Sequence, residues 1–161
     1  MTNFICLWAH NFVIEQLKNT EIMKKAIIIY QSEKGTTQQL GNEIKSYLSI
    51  QGMQTEIISI EDIKNHDLSE FDYVFLGCWT KGLMFFAQHP DKLWKNFVNS
   101  IVLHAKSKIA LFTTYKIATG SMFSQMRKNL PGNVSSSVLE IKSRDGFLPE
   151  EAAEKMGQFI S

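Results

Sequence analysis

Lys24-Lys25-Ala26-Ile27-Ile28-Ile29-Tyr30-Gln31-Ser32-Glu33-Lys34-Gly35-Thr36-Thr37-Gln38-Gln39-Leu40 is the stretch that decides the fold. Its β-rich apolar run, Ala26 to Tyr30, stops just before a hydroxyl-bearing residue. One glycine and two threonines follow, and then Leu40, Ile44, Tyr47 and Leu48 recur at helical spacing. A buried strand that passes through a Ser/Thr/Gly loop into a helix N-terminus builds a phosphate site. Free backbone N–H groups, hydroxyl donors and the positive end of the helix dipole converge there. The simpler use of Ser32 or Thr36 is to cap the helix.

Outward from this unit, strand and helix patterns alternate. The first helix runs from Thr37 to about Ile50, with Gly52 at its stop. Thr55–Ile60 is a second strand, Glu61–Asn65 suits only a short helix, and Tyr73–Gly77 is a third, fully apolar strand. After a long loop, Cys78–His89, Pro90 stands at a helix start, and Leu93, Trp94, Phe97, Val98, Ile101 and Val102 form its apolar stripe. Ile109–Thr113 is the fourth strand. Ser121 can cap a helix carrying Met122, Phe123, Met126 and Leu130, which Pro131-Gly132 ends. Val138–Ile141 is the fifth strand, and Pro149-Glu150-Glu151 opens a last helix through Met156 and Ile160.

This alternation predicts an α/β fold: a parallel sheet of five strands in the order 2-1-3-4-5 with helices on both faces. Ligands in such sheets bind outside the C-terminal ends of the strands, next to the switch point between strands 1 and 3. Residues 1–22 read as an extension outside the core, and residues 23–161 as one domain.

Composition narrows the function. The chain has 161 residues, 44% hydrophobic and 20% charged, with a formal net charge of +1. Nothing in that balance argues for a nucleic-acid or membrane-surface partner. Cys6 and Cys78 are far apart and form no CxxC pair, and no apolar run reaches the ~20 residues of a membrane span, so a reduced, cytoplasmic protein is expected. The histidines at 66, 89 and 104 show no metal-ligand spacing. A phosphatase loop built on Cys78 would need arginine at Met84, and a receiver-type module would need an aspartate where Cys78-Trp79 stands.

Three loops fall at the ligand edge. Ser32–Thr37 suits a single phosphate: it lacks the Gly-Lys-Ser/Thr of a triphosphate loop and the three glycines of a dinucleotide fingerprint. Lys34 adds a cation or faces solvent. Cys78–His89 is too apolar for a solvated connection, and an aromatic loop at this edge can clamp a flat ring. Trp79 is expected in that wall, and one of Phe85 and Phe86 in the core. Thr113-Thr114-Tyr115 and the residues through Gly120 offer hydroxyls and a second aromatic. Together the loops describe a mononucleotide with a planar ring.

On these residues the chain resembles a short-chain flavodoxin over about residues 24–161. Ser32-Glu33-Lys34-Gly35-Thr36-Thr37 is similar to that family's Ser/Thr-x-Thr-Gly-x-Thr phosphate loop, matching at Ser32, Gly35 and Thr37. Gly77-Cys78-Trp79-Thr80-Lys81-Gly82 is similar to the loop that lies against the flavin ring. The resemblance implies a flavodoxin-like three-layer sandwich. It also implies a non-covalent FMN held by Ser32, Glu33, Lys34, Gly35, Thr36, Thr37, Cys78, Trp79, Thr80, Lys81, Gly82, Thr113, Thr114 and Tyr115. Departures are visible too. Lys34 replaces a hydroxyl residue, Trp79 stands about two positions earlier than the usual aromatic, and the chain is near neutral where flavodoxins are usually acidic.

The expected function is that of an electron carrier, a monomer passing single electrons between a reductase and an acceptor, with no catalytic residue of its own. A carbonyl in the Thr80-Lys81-Gly82 turn is then expected to face the flavin N5, and Lys81 to favour an anionic ring. The alternatives are an NAD(P)H-dependent FMN or quinone reductase on the same fold and, more remotely, a flavin-free binding or signalling module.

Overall fold

The computed structural model describes residues 23–83, 86–132 and 137–161. The proposed extension, residues 1–22, lies outside them, as do Met84 and Phe85. The placement expected for Phe85 and Phe86 therefore falls outside the described side chains. A five-stranded parallel sheet takes the order β2-β1-β3-β6-β7, built from β1 (Lys25–Gln31), β2 (Gln54–Ser59), β3 (Tyr73–Trp79), β6 (Lys108–Thr114) and β7 (Leu139–Ser143). Counted within this sheet alone, that is the expected 2-1-3-4-5. Ala26, Ile28, Val74, Phe75, Leu76, Ala110, Leu111 and Phe112 are wholly buried. The central strands are apolar on both faces because both faces are covered.

One face is packed by α1 (Thr36–Ile50) through Leu40, Ile44 and Leu48, and by α4 (Glu150–Ile160) through Ala152, Met156 and Ile160. On the other face α2 (Lys92–Val98) contributes Trp94, Phe97 and Val98, and α3 (Met122–Lys128) contributes Met122 and Met126. The C-terminus of α4 has no basic residue in its last turn. Its open carbonyls are instead met from the starts of the strands: Lys24 Nζ and Tyr73 Oη donate to Ile160 O at 2.7 and 3.1 Å, and Lys108 Nζ donates to Phe159 O at 2.8 Å. The cations stand where the negative end of the helix dipole favours them.

Three expectations are corrected. Glu61–Asn65 is not helical. Asp62 and Ile63 N–H both bond to Ser59 O, closing one turn, and the chain then runs extended so that Asp67 bridges Val102. Five residues cannot offset the cost of nucleating a helix. The stripe from Leu93 to Val102 is cut short, because the Ser100 hydroxyl takes the Phe97 carbonyl at 2.7 Å and the helix stops at Val98. Leu93 and Val102 are left 41% and 56% exposed. Cys78–His89 is not a loop. Cys78 and Trp79 complete β3, pairing with Thr113 and Thr114, and β4 (Lys81–Leu83) and β5 (Phe86–His89) then form an antiparallel hairpin. Ladder bonding to β6 carries β3 past Gly77, since the Thr80 N–H still reaches Thr114 O at 3.0 Å.

Candidate functional site

Buried polar side chains mark where the sheet is not simply core. Of the six among the described residues, Thr37, Gln88, Thr113, Thr114 and Ser143 all gather at the C-terminal edge of the strands or the hairpin beside it, and only Ser107 lies elsewhere. Two hydroxyl pairs stitch this edge together. Thr37 Oγ1 and Thr114 Oγ1 are 2.7 Å apart, tying the first turn of α1 to the end of β6. Thr113 Oγ1 donates its proton to Cys78 O at 2.6 Å, so at 3.1 Å Thr80 is the donor to Thr113 Oγ1.

A cleft of about 300 Å³ opens at this edge. Ser32, Glu33, Lys34, Thr36 and Thr37 line it from the loop after β1, Trp79 and Thr80 from the end of β3, and Thr114 and Tyr115 from the end of β6. Nine of the fourteen expected residues thus meet in one cavity. Gly35 stands at the N-cap of α1 with φ +84°, a left-handed conformation that glycine adopts without strain. No side chain caps this helix, so neither Ser32 nor Thr36 takes the capping role. Thr36 and Thr37, in the first turn of α1, line the cleft, and the Ser32 hydroxyl is buried with no partner among the described residues. The Trp79 indole N–H is in the same condition. A buried donor without a partner costs about 1–3 kcal/mol. The Trp94 indole N–H, in the core under α2, is in the same condition, so it is the Ser32 hydroxyl, beside the uncapped helix N-terminus, that points to a ligand that accepts hydrogen bonds.

The other expected residues stand behind the wall. Cys78 is fully buried. Its thiol, 3.2 Å from Gln31 Oε1, is pushed up to about 12, chiefly by burial, so it is an inert packing group. Thr113 is wholly buried beneath Thr80. Lys81 Nζ lies over the Trp79 ring at 5.8 Å and pairs with Asp91 at 3.1 Å. Its charge is therefore largely balanced before it can act on a ring. Asp91 also accepts from Leu93 N–H at 2.9 Å as the N-cap of α2. That bond first, and the Lys81 ammonium as well, hold its carboxyl below the usual carboxylate range. Gly82 lies within β4.

Five lining residues were not among the fourteen: Gln88, Lys116, Ile117 and Ala118, which lie in the second and third loops named above, and Arg144, which lies outside all three. Gln88, on β5, is 3% exposed. It donates from Nε2 to Ala118 O at 2.9 Å, while its backbone carbonyl accepts from the Ser121 hydroxyl at 2.7 Å. Ser121 precedes α3 but spends its hydroxyl on the hairpin instead of capping the helix. Gly120, at φ +43°, lets the third loop pass close to this amide, where a Cβ would fall 2.9 Å from Gln88 Cδ. The hairpin and the third loop are thereby one wall. Arg144, just past β7, has its guanidinium carbon 6.0 Å from the centre of the Tyr115 ring.

A family model described as a flavodoxin domain matches residues 27–140. The chain belongs to the flavodoxin family. Its sequence is 28% identical over 94 residues to a flavodoxin of Megasphaera elsdenii, a match spanning 58% of this chain and 66% of that protein, just under two thirds. Two solved flavodoxins share the fold. The two-electron reduced Megasphaera elsdenii protein has a TM-score of 0.65 and 20% identity, covering 83% of this chain and 96% of that one. Oxidised Flavodoxin 1 from Bacillus cereus has a TM-score of 0.55 and 22% identity, covering 84% and 94%. Flavodoxins bind FMN, and the cleft lies where the family's fold puts its ligand, at the switch point between β1 and β3. No helix of the described residues is long and apolar enough to cross a membrane, and no group of metal-ligating side chains is found among them.

Proposed function

We propose that this chain holds one FMN in the cleft and carries electrons singly between a reductase and an acceptor. The observation that carries the reading is the Ser32 hydroxyl, buried and without a partner beside the uncapped N-terminus of α1, in a cleft that also holds Trp79 and Tyr115. A phosphate monoester satisfies that end, since its oxygens accept from Ser32, Thr36 and the backbone N–H groups while the helix dipole favours its charge. If Thr114 donates to Thr37, the Thr37 proton is also free for the phosphate.

FMN, when bound, supplies the redox chemistry, and the protein supplies binding, orientation and electrostatics. Trp79 and Tyr115 offer aromatic faces, and the unpartnered Trp79 N–H offers a donor to a polar edge of the ligand. The Thr37–Thr114 pair fixes the phosphate end relative to the strand that leads into Tyr115. Gln88 keeps the hairpin against the third loop, which excludes water from that side. No acid or base with a pKa suited to proton transfer near neutrality is required of the protein for this task.

Incubation with FMN, followed by removal of free flavin, tests the proposal. Visible flavin bands on the protein and quenched flavin fluorescence are expected, and a colourless protein that leaves FMN fluorescence unchanged refutes it. Anaerobic mixing of the loaded protein with NAD(P)H then separates carrier from reductase. A carrier keeps its yellow colour, whereas rapid bleaching by the nicotinamide alone makes the chain a reductase.

A further inference from the structure

The charges around the cleft are not spread evenly along the sheet edge. Glu61 and Asp62 follow β2, at one outer end of the strand order, and both are exposed. Over the cleft and toward the opposite end the sign reverses. Lys34, Lys116 and Arg144 line the cavity from the loops after β1, β6 and β7, against one lining carboxylate, Glu33. None of the three cations takes part in an ion pair among the described residues, whose salt bridges involve Lys25, Lys81, Arg127 and Lys155. Asp145, next to Arg144, is an exposed carboxylate that pairs with no cation among the described residues. Its Oδ1 accepts from the Ser143 hydroxyl and the Phe147 N–H within its own turn, and its charge offsets one of the three positive charges. With Glu33 and Asp145 both counted the rim is still net positive, three cations against two carboxylates. The basic half also carries apolar surface. Ile117 is 46% exposed between Lys116 and the cleft wall. Phe147, 57% exposed, follows Gly146, where a Cβ would fall 2.9 Å from the carbonyl of Thr36 in the phosphate loop.

We propose that this half of the rim, Lys34, Lys116 and Arg144 set around Ile117 and Phe147, docks a redox protein whose own cofactor edge is ringed by carboxylates. The inference rests on the carrier reading, because a carrier needs a second protein at the mouth of its cleft. Exposed apolar side chains give such a contact its centre, and charges at the rim give it orientation. Transient electron-transfer contacts are small, so rim charges govern the encounter rate and the choice of partner more than the affinity. With Glu61 and Asp62 at the far end, the edge is a dipole. An acidic partner is drawn over the cleft and away from β2, and a basic partner is drawn the other way.

Two forms of one acceptor test this. Native cytochrome c presents a lysine-ringed haem edge, and the same protein with its lysines succinylated presents carboxylates. The full chain, loaded with saturating FMN and reduced anaerobically, is mixed with each. Two haem irons pass from Fe(III) to Fe(II) for each fully reduced flavin, which releases two protons. At low ionic strength the succinylated form is expected to react about tenfold faster, within the range over which charge steers association. Its rate should fall with added salt, and that of the native form should rise. The triple variant Lys34→Gln/Lys116→Gln/Arg144→Gln should abolish the preference, and Glu61→Gln/Asp62→Asn should leave it in place. Preference for native cytochrome c, or a preference that survives the triple variant, overturns the docking face and leaves the carrier reading standing. Absence of flavin from the loaded chain, read before any acceptor is added, overturns both.

Discussion

Gly77→Ala is the substitution whose cost can be worked most directly from the packing. Gly77 lies inside β3, opposite Phe112 on β6 and Tyr30 on β1. A Cβ at this position would strike three atoms of the Phe112 ring, Cζ, Cε2 and Cε1, the last at 2.5 Å. Carbon atoms rest at about 3.5–4.0 Å, so the ring must retreat by about 1 Å or more. Phe112 is wholly buried in the core beneath α1 and α4, and close-packed interiors leave no such space. Overpacking of this kind costs about 1–3 kcal/mol and occasionally more, and the value expected here is at the top of that range, about 3 kcal/mol. In a chain of this size that lowers Tm by about 6–12 °C. Urea unfolding followed by circular dichroism should show a lower midpoint at unchanged slope. Shrinking the ring should relieve the clash, so Gly77→Ala/Phe112→Leu should be less destabilised than the two single changes summed. A Gly77→Ala protein within about 0.5 kcal/mol of the parent, the range of an ordinary surface change, would refute the reasoning.

Ser32→Ala removes the unpartnered hydroxyl at the phosphate end. It should raise the FMN dissociation constant about tenfold, the lower part of what a hydrogen bond to a charged group contributes, and leave the thermal midpoint of the free protein unchanged or slightly raised. In a Cys6→Ser background, Cys78 should resist a thiol reagent at pH 8 and react fully once urea unfolds the chain, as its buried thiol and raised pKa require. Asp91→Ala loses the cap of α2 and should cost about 1 kcal/mol near neutral pH by chemical denaturation. The Asp91 carboxyl is held below its unfolded value, so its contribution is complete above that value and disappears as pH falls through the folded one. The parent and the variant should therefore converge in stability below about pH 4.

The sheet was legible because β1, β3 and β6 are unbroken apolar runs, which only strands covered on both faces adopt, and their spacing leaves room for one helix each. The phosphate loop was legible for a local reason: strand, hydroxyl, glycine and helix follow one another without a gap. What stayed hidden depends on contacts far apart in the chain. The continuation of β3 through Trp79 is imposed by Thr113 and Thr114, and neither Lys81–Leu83 nor Phe86–His89 shows the alternation that announces a hairpin. Arg144 lies past the fifth strand, and the reading followed only the three earlier loops. The parallel order nonetheless brings that fourth loop to the same edge. Glu61–Asn65 misled because polar residues of good helical propensity look alike whether they form one turn or three.

The capping of α4 by Lys24, Tyr73 and Lys108 also fixes where the two ends of the described domain lie. Lys24, the residue before β1, and the last turn of α4 meet at the N-terminal edge of the sheet, and the cleft opens at the C-terminal edge. Residues 24 and 160 both lie on the side of the sheet remote from the ligand. The unit can thus be carried on either flank, or spliced into a host loop through both ends at once, with its cleft still open to a visitor.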